Sequence, residues 1–240
     1  MIDLAFEDKM TGKEVKSNVQ QIMYTYGCNK RCSRPFNITL CGLHGETQKA
    51  LENVSGFEAW SLQKDSRPYI EVFKKEELVY LTADSPHTID SFDPSKVYVV
   101  GGIVDRNRYK GLTFDKATKQ GIQTAKLPIG EFLELSSREV LTTNHVLAIM
   151  LNYNESGDWC DAFQKVIPMR KKWTVKKDRK DGVRDTTTNS FEKGGVYAKL
   201  DTRNCDPPKA KKRKSTDEKK SYGSSYGELE KMLDKSGGFA

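Results

Sequence analysis

"VYVVGGIVDRNRYKG", Val97 to Gly111, begins as an apolar run, breaks at a glycine pair and ends with one carboxylate among basic and polar residues. Aromatic and β-branched residues that run into Gly101 and Gly102 read as a buried strand turning into a loop. "LVYLT", Leu78 to Thr82, has the same texture, and after the glycine pair a helical pattern over Thr113 to Gln120 leads into a short strand at Gln123 to Ala125. Strands and helices alternating in this way predict a mostly parallel sheet covered by helices. Ligands of such sheets sit beyond the carboxyl ends of the strands. "LTADSP", "GGIVDRN" and "KLPIGE" fall at such ends, with "LTTNH" further on, and together they predict one pocket.

Outward from this centre, "MIDLAF" reads as a first strand. Val15, Val19, Ile22, Met23 and Tyr26 recur at helical spacing in "MTGKEVKSNVQQIMYTYG", with Gly27 expected to stop the run. A strand is predicted over Phe36 to Leu43, and helices over Gln48 to Val54, Tyr69 to Phe73 and Thr88 to Phe92. Two closing helices span Thr143 to Tyr153 and Trp159 to Val166, the second capped by Asp158 and stopped by Pro168. Residues 1–172 are expected to form the domain and 173–240 a basic tail, disordered from Lys176 to Ala240 because it is too polar to build a core. "SYGELEKML" in that tail matches a short capped helix, and "PPKAKKRKS" reads as a linker or, better, a nuclear address.

The chain has 240 residues and a formal net charge of +7. That charge belongs to the tail: residues 1–168 hold 20 Lys+Arg against 22 Asp+Glu, whereas residues 169–240 hold 20 against 11. A domain that is not basic overall must present any patch for a polyanion locally. Five cysteines, Cys28, Cys32, Cys41, Cys160 and Cys205, form no even framework, and no secretory leader or long apolar run accompanies them, so a reducing compartment and no membrane are expected. Cys28 and Cys32 lack a second pair at ligand spacing, and three scattered histidines make no metal centre.

Each candidate site residue carries two readings at this level. Gly101 and Gly102 permit close approach of a ligand to the backbone, yet taken alone an ordinary turn or bulge is the better account of them. Asp105 is either a solvated acid paired with Arg106 or Arg108, or a proton acceptor beside a polyanion held by those cations. Thr142, Thr143 and Asn144 either begin a helix or line a pocket floor with donors and acceptors.

"DLAFEDKM", "VYLTADSP", "KVYVVGGIVDRNRYKG", "TAKLPIGE", "REVLTTNHV" and "GDWCDAFQKVIPMRK", in this order and spacing, resemble the eukaryotic tRNA methyltransferase family that modifies ring nitrogen 1 of the purine at tRNA position nine. The likeness covers about residues 1 to 172 and is closest to the nuclear and cytosolic guanosine-specific members of this branch of the SPOUT superfamily. It implies an α/β fold with a mostly parallel sheet and a C-terminal trefoil knot, S-adenosyl-L-methionine bound in the knot, tRNA as partner, no metal and a monomer found in nucleus and cytoplasm. It assigns Asp105 to proton removal. Leu81, Gly101, Gly102, Leu127, Ile129, Thr142 and Thr143 are assigned to the cofactor, and Arg106, Asn107, Arg108, Lys110 and Asn144 to the tRNA. Adenosine methylation, a silent tRNA-binding subunit and, more remotely, a nicotinamide oxidoreductase are the competing readings. Members usually carry a lysine-rich extension before the first strand, where this chain begins.

Overall fold

The structure is a computed structural model, and it describes residues 1–106, 108–135, 140–168, 171 and 173–176. Among these, strands β1 (Ile2–Asp3), β2 (Thr39–Cys41), β3 (Gln63–Lys64), β4 (Leu78–Leu81), β5 (Val97–Gly101) and β6 (Gln123–Ala125) form one sheet in the order β3-β2-β1-β5-β4-β6. Every pairing in it is parallel. All four residues of β4 are buried, which is why its sequence lacks the alternation of a half-exposed strand. The register pairs Asp3 with both Cys41 and Gly101, and Leu81 with Val100 and Ala125, so the carboxyl ends of β1, β2, β5, β4 and β6 meet along one edge.

Helix α1 (Gly12–Arg31) opens with a capping box in which Thr11 and Glu14 bond each other's backbone amides. It runs through Gly27, where the sequence predicts a stop. One interior glycine costs a helix only about 1 kcal/mol, and the last turns are anchored from outside: Asn29 Nδ2 donates to the Phe36 carbonyl at 2.9 Å and Asn29 Oδ1 accepts from the Phe36 amide at 2.8 Å. Helices α2 (Gly45–Glu52), α3 (Tyr69–Val72) and α4 (Leu112–Lys119) follow within a residue or a turn of their expected places.

No helix forms over Thr88 to Phe92. Thr88 instead makes a parallel bridge to Lys126, with the Ile89 amide donating to the Lys126 carbonyl at 3.0 Å and the Lys126 amide to the His87 carbonyl at 2.8 Å. A five-residue apolar pattern cannot meet the cost of helix nucleation against such extended pairing. Phe92 packs edge-on against Phe36, Tyr98, Tyr153 and Trp159, which supplied the apolar signal.

After β6 the chain forms α5 (Ile129–Phe132) and β7 (Leu133–Leu135), then α6 (Thr143–Ser156) and α7 (Trp159–Val166), and returns in β8 (Trp173–Val175), antiparallel to β7. Asp158 caps α7 as expected, its Oδ1 accepting from the Cys160 amide at 2.7 Å. The β7–β8 pair extends the described structure beyond position 172, and the Lys176 amide donates to the Phe132 carbonyl at 2.9 Å. Trp173 lies against the cluster that Leu133, Ile149, Trp159, Phe163 and Ile167 build, because its ring gains burial there that the polar residues around it cannot. "PPKAKKRKS", "SYGELEKML" and the rest of 177–240 lie outside the described residues. Among the described residues no helix is long and apolar enough to cross a membrane.

Candidate active site

A cavity of about 540 Å³ opens where the carboxyl ends of β4 and β5 meet the start of α6. Leu81 and Val100 form its strand side, Leu127 and Ile129 enter from the turn after β6, and Leu141 and Val146 close it from the α6 side. Polar groups sit at the rim: Thr82 and Asp84 after β4, Asp105 and Arg106 after β5, Thr142 and Thr143 at the head of α6, and Ser17 and Gln21 on α1. The volume and the apolar floor with a few polar groups are those of a small-ligand site. Asp84 and Asp105 bring two carboxylates to this lining and Arg106 one guanidinium.

Hydrogen bonds across elements hold the walls. The Thr143 hydroxyl donates to the Gly101 carbonyl at 2.9 Å, and the Thr143 amide donates to Gln21 Oε1 at 3.1 Å. Thr113 Oγ1 donates to Thr82 Oγ1 at 2.9 Å, joining α4 to the end of β4.

The loop after β5 is a tight turn built on Asp105. Its carbonyl accepts from the Arg108 amide at 3.1 Å and its Oδ2 from the Tyr109 amide at 2.9 Å. Arg106, inside that turn, has a φ of 51°, a left-handed conformation that costs a residue with a Cβ energy and persists only where surrounding contacts enforce it. Arg108 reaches back to α1, with Nη2 2.8 Å from Glu14 Oε2 and 3.1 Å from the Lys9 carbonyl. The Thr11 amide, opposed by burial and joined by the Thr11 hydroxyl and the Arg108 guanidinium, holds the Glu14 carboxyl below the usual carboxylate range.

Of the residues assigned from the sequence, Leu81, Gly101, Leu127, Ile129, Thr142, Thr143, Asp105 and Arg106 line this one cavity. Gly102 is not among its lining residues. It is packed beneath β1, where a Cβ would stand 2.6 Å from Leu4 Cδ2 and 3.0 Å from the Asp3 carbonyl oxygen, so its lack of a side chain serves close packing. Arg108 is turned onto Glu14 and does not line the cavity. Lys110 is exposed outside it, and Asn144 is likewise absent from the lining: its Oδ1 accepts from Thr142 Oγ1 at 2.7 Å at the helix start. Asn107 lies outside the described residues.

A family model for tRNA (guanine(9)-N(1))-methyltransferase TRM10/TRM10A matches residues 1–172. The chain belongs to this family. Its TRM10/TRM10A relatives include tRNA methyltransferase 10 homolog A of Rattus norvegicus, 44% identical over 173 residues that make up 71% of this chain and 52% of that protein. The tRNA (guanine(9)-N1)-methyltransferase of Candida glabrata is 41% identical over 182 residues, 73% of this chain and 63% of that one. The chain thus spans about half the length of the first of these relatives. Among solved structures, spTrm10(74) superposes with a TM-score of 0.67 at 39% identity, covering 70% of this chain and 92% of that one. A full-length spTrm10–SAH complex superposes at 0.65 and 39% identity, covering 70% and 93%.

The cavity is also lined by residues that carry no assignment from the sequence. Ser17 and Gln21 lie one turn apart on the side of α1 away from Val15, Val19 and Ile22, where polar residues are ordinary, so nothing in the sequence marks them. Asp84 was visible as the one acid in "LTADSP". Thr113 and Leu112 carry no signal of their own, because the approach of α4 to β4 is a tertiary fact. Among the described residues no group of three or more His, Cys, Asp or Glu side chains is arranged to hold a metal ion.

Proposed function

We propose that this chain is the catalytic domain of an S-adenosyl-L-methionine-dependent methyltransferase that methylates nitrogen 1 of guanosine at position nine of tRNA. The observation that carries the reading is the place of Asp105: a carboxylate on the rim of an apolar-floored cavity at the carboxyl ends of the strands, in a chain of this family. The named activity of the Candida glabrata relative and the SAH held by spTrm10 support the substrate and the cofactor.

The residues present suit the cofactor. Leu81, Leu127 and Ile129 offer apolar contacts for a purine ring, the Thr142 and Thr143 hydroxyl oxygens, their protons engaged by Asn144 and Gly101, can accept from its sugar, and the Asp84 and Asp105 carboxylates suit a cationic donor. When bound, S-adenosyl-L-methionine supplies a methyl group already activated on positively charged sulfur. What the protein adds is alignment, which for two held reactants is worth a large part of a barrier. Guanine nitrogen 1 bears a proton at neutral pH. Asp105 accepts that proton as the nitrogen's electron pair forms the new bond to carbon, leaving a neutral methylated base and a protonated carboxyl. Exposed Arg106 and Lys110 meet tRNA phosphates beside the cavity, and Asn107 and Asn144 contact the nucleotide.

The reading extends to topology and assembly. The segment after β4 drapes over the last helices: its Asp90 carbonyl accepts from Tyr153 Oη at 3.2 Å and from Trp159 Nε1 at 2.7 Å. That embrace supports a trefoil knot closed by α6 and α7, in a protein that acts as a metal-free monomer. The domain of residues 1–172 extends to take in β8, and the basic sequence beyond it serves as a nuclear address, placing the protein in nucleus and cytoplasm.

The test is transfer of labelled methyl to tRNA transcripts bearing G or A at position nine. Methylation of the G transcript at nitrogen 1, unchanged by chelator, is expected. Label on the A transcript alone would replace the base assignment, and no transfer to either would leave the silent tRNA-binding subunit.

A further inference from the structure

Asp105 and Arg108 belong to one turn, closed by the hydrogen bond from the Arg108 amide to the Asp105 carbonyl at 3.1 Å. Whatever fixes the Arg108 side chain therefore limits where the Asp105 carboxylate stands. Arg108 Nη2 lies 2.8 Å from Glu14 Oε2, and the Glu14 side chain is only 10% exposed. The same carboxylate oxygen accepts from the Thr11 amide at 2.9 Å and the Thr11 hydroxyl at 3.0 Å, so it is already immobilised by the helix cap before Arg108 reaches it.

Two more contacts, one from α1 and one from the residue before its cap, repeat the pattern. The Val104 amide donates to Met10 Sδ at 3.4 Å, and Asn18 Nδ2 donates to the Gly102 carbonyl at 2.8 Å. Glu14 and Asn18 stand one turn apart on one face of α1, Met10 lies just before its cap, and together they hold Arg108, Gly102 and Val104 of the loop that follows β5. Side chains four apart on a helix share a face, so α1 acts as a rigid rail for this loop. The left-handed Arg106, between Asp105 and Arg108, needs such over-determination.

We propose that Arg108 is a positioning residue: paired with Glu14, it fixes the turn that presents Asp105 and is not a ligand for phosphate. This rests on the methyltransferase reading above. Its chemistry is a charge-assisted hydrogen bond on a nearly buried carboxylate, stronger and more directional than an exposed ion pair. The partner it serves is the proton acceptor itself.

The test compares Arg108→Ala, Arg108→Lys, Glu14→Gln and the Glu14→Gln/Arg108→Ala double variant in the full chain. Glu14→Gln keeps an acceptor for Thr11 while removing the charge that holds Arg108. Expected are single-turnover rates at saturating tRNA and cofactor that fall by about 10²-fold in Arg108→Ala, the scale of a misplaced catalytic group, with tRNA affinity within about twofold of wild type and its salt slope unchanged. Glu14→Gln should fall in the same direction, the double variant should be no slower than Arg108→Ala, and Arg108→Lys should recover part of the rate. Amide hydrogen exchange over 103–110 should speed up in Arg108→Ala and Glu14→Gln without any reference to activity. Weaker tRNA binding with a shallower salt slope in Arg108→Ala, and no effect of Glu14→Gln, would make Arg108 a phosphate ligand and overturn the proposal. Lower melting temperatures with unchanged saturated rates and unchanged exchange would overturn it as well. Wild-type protein that transfers no methyl to tRNA, with exchange responding as expected, would defeat the functional reading and leave the clamp standing.

Discussion

The hydroxyl of Thr143 donates to the carbonyl of Gly101 at 2.9 Å, tying the first residue of α6 to the last of β5 across 42 positions of sequence. Both residues line the cavity, so this bond sets the distance between its two walls. Thr143 is buried, and Thr143→Val keeps its shape while leaving the Gly101 carbonyl unpaired. A fully buried acceptor left orphaned costs about 1–3 kcal/mol, and the low end applies to the part-buried Gly101 carbonyl. Unfolding in urea should show that loss, isothermal titration should show S-adenosyl-L-methionine binding weakened by about fivefold, the equivalent of one net hydrogen bond, and Thr143→Ser should retain most of both. Wild-type affinity in Thr143→Val would mean the wall position does not depend on this bond.

Asp105→Asn removes the proton-accepting charge and keeps an oxygen able to accept from the Tyr109 amide, so the turn survives. Single-turnover methylation should fall by about 10²–10⁴-fold, the usual worth of general-base assistance, with cofactor affinity unchanged. The deficit should narrow as pH rises, because guanine then sheds its own proton without help. A variant as fast as wild type across pH would remove Asp105 from the chemistry.

How far the site was legible in the sequence follows from which contacts are local. β4 and β5 are continuous apolar runs ended by a polar or glycine stop, and their alternation with helical patterns predicted the parallel sheet and a pocket at the strand ends. The α1 overrun past Gly27 depends on Asn29 bonding Phe36, and the extended 88–92 segment depends on Lys126; neither partner is marked by spacing. Asp105 is the one acid beside Arg108 in this stretch of sequence. The structure gives it Glu14, 94 residues upstream, a choice that only the tertiary path of α1 makes.

The glycine pair divides its labour. Gly101 is at the cavity, but Gly102 has no room beside it: a Cβ there would lie 2.6 Å from Leu4 Cδ2, 2.9 Å from Ile2 Cγ2 and 3.0 Å from the Asp3 carbonyl oxygen. Gly102→Ala must push β1 away from β5, and over-packing of this kind costs about 1–3 kcal/mol. A melting curve shifted down by several degrees, with cofactor affinity reduced only in proportion to the folded fraction, is expected. Unchanged stability with selective loss of cofactor binding would return Gly102 to the binding site.

Truncation separates the two boundaries. Ending the chain after Lys172 removes β8, and with it Trp173, whose Nε1 donates to the Ile167 carbonyl at 3.1 Å. A half-buried aromatic side chain is worth roughly 2 kcal/mol, so that product should melt below one ending at Lys176, which should melt with the full chain. Equal melting of the two truncated forms would show that β8 contributes nothing to the domain.

Asp3 is almost fully buried, and its Oδ2 accepts from Lys116 Nζ at 2.6 Å and from Tyr80 Oη at 2.8 Å, joining α4 to the centre of the sheet. Burial first, and then the Asp3 charge, push the Tyr80 phenol well above its ordinary pKa, so it stays a donor. The Lys116 ammonium also lies 4.4 Å from the centre of the Phe6 ring, where the π face favours a cation. Lys116→Met keeps the apolar stem but leaves the Asp3 carboxylate with its charge unmatched. Breaking one side of a buried pair costs about 3–5 kcal/mol, and the low end applies here because the Lys116 side chain remains 21% exposed. Asp3→Asn in the same background should relieve part of that loss, since a neutral amide no longer needs a cation. The double variant in urea unfolding should therefore be more stable than the two single losses add up to, and strictly additive losses would show that Lys116 and Asp3 are neighbours without being partners.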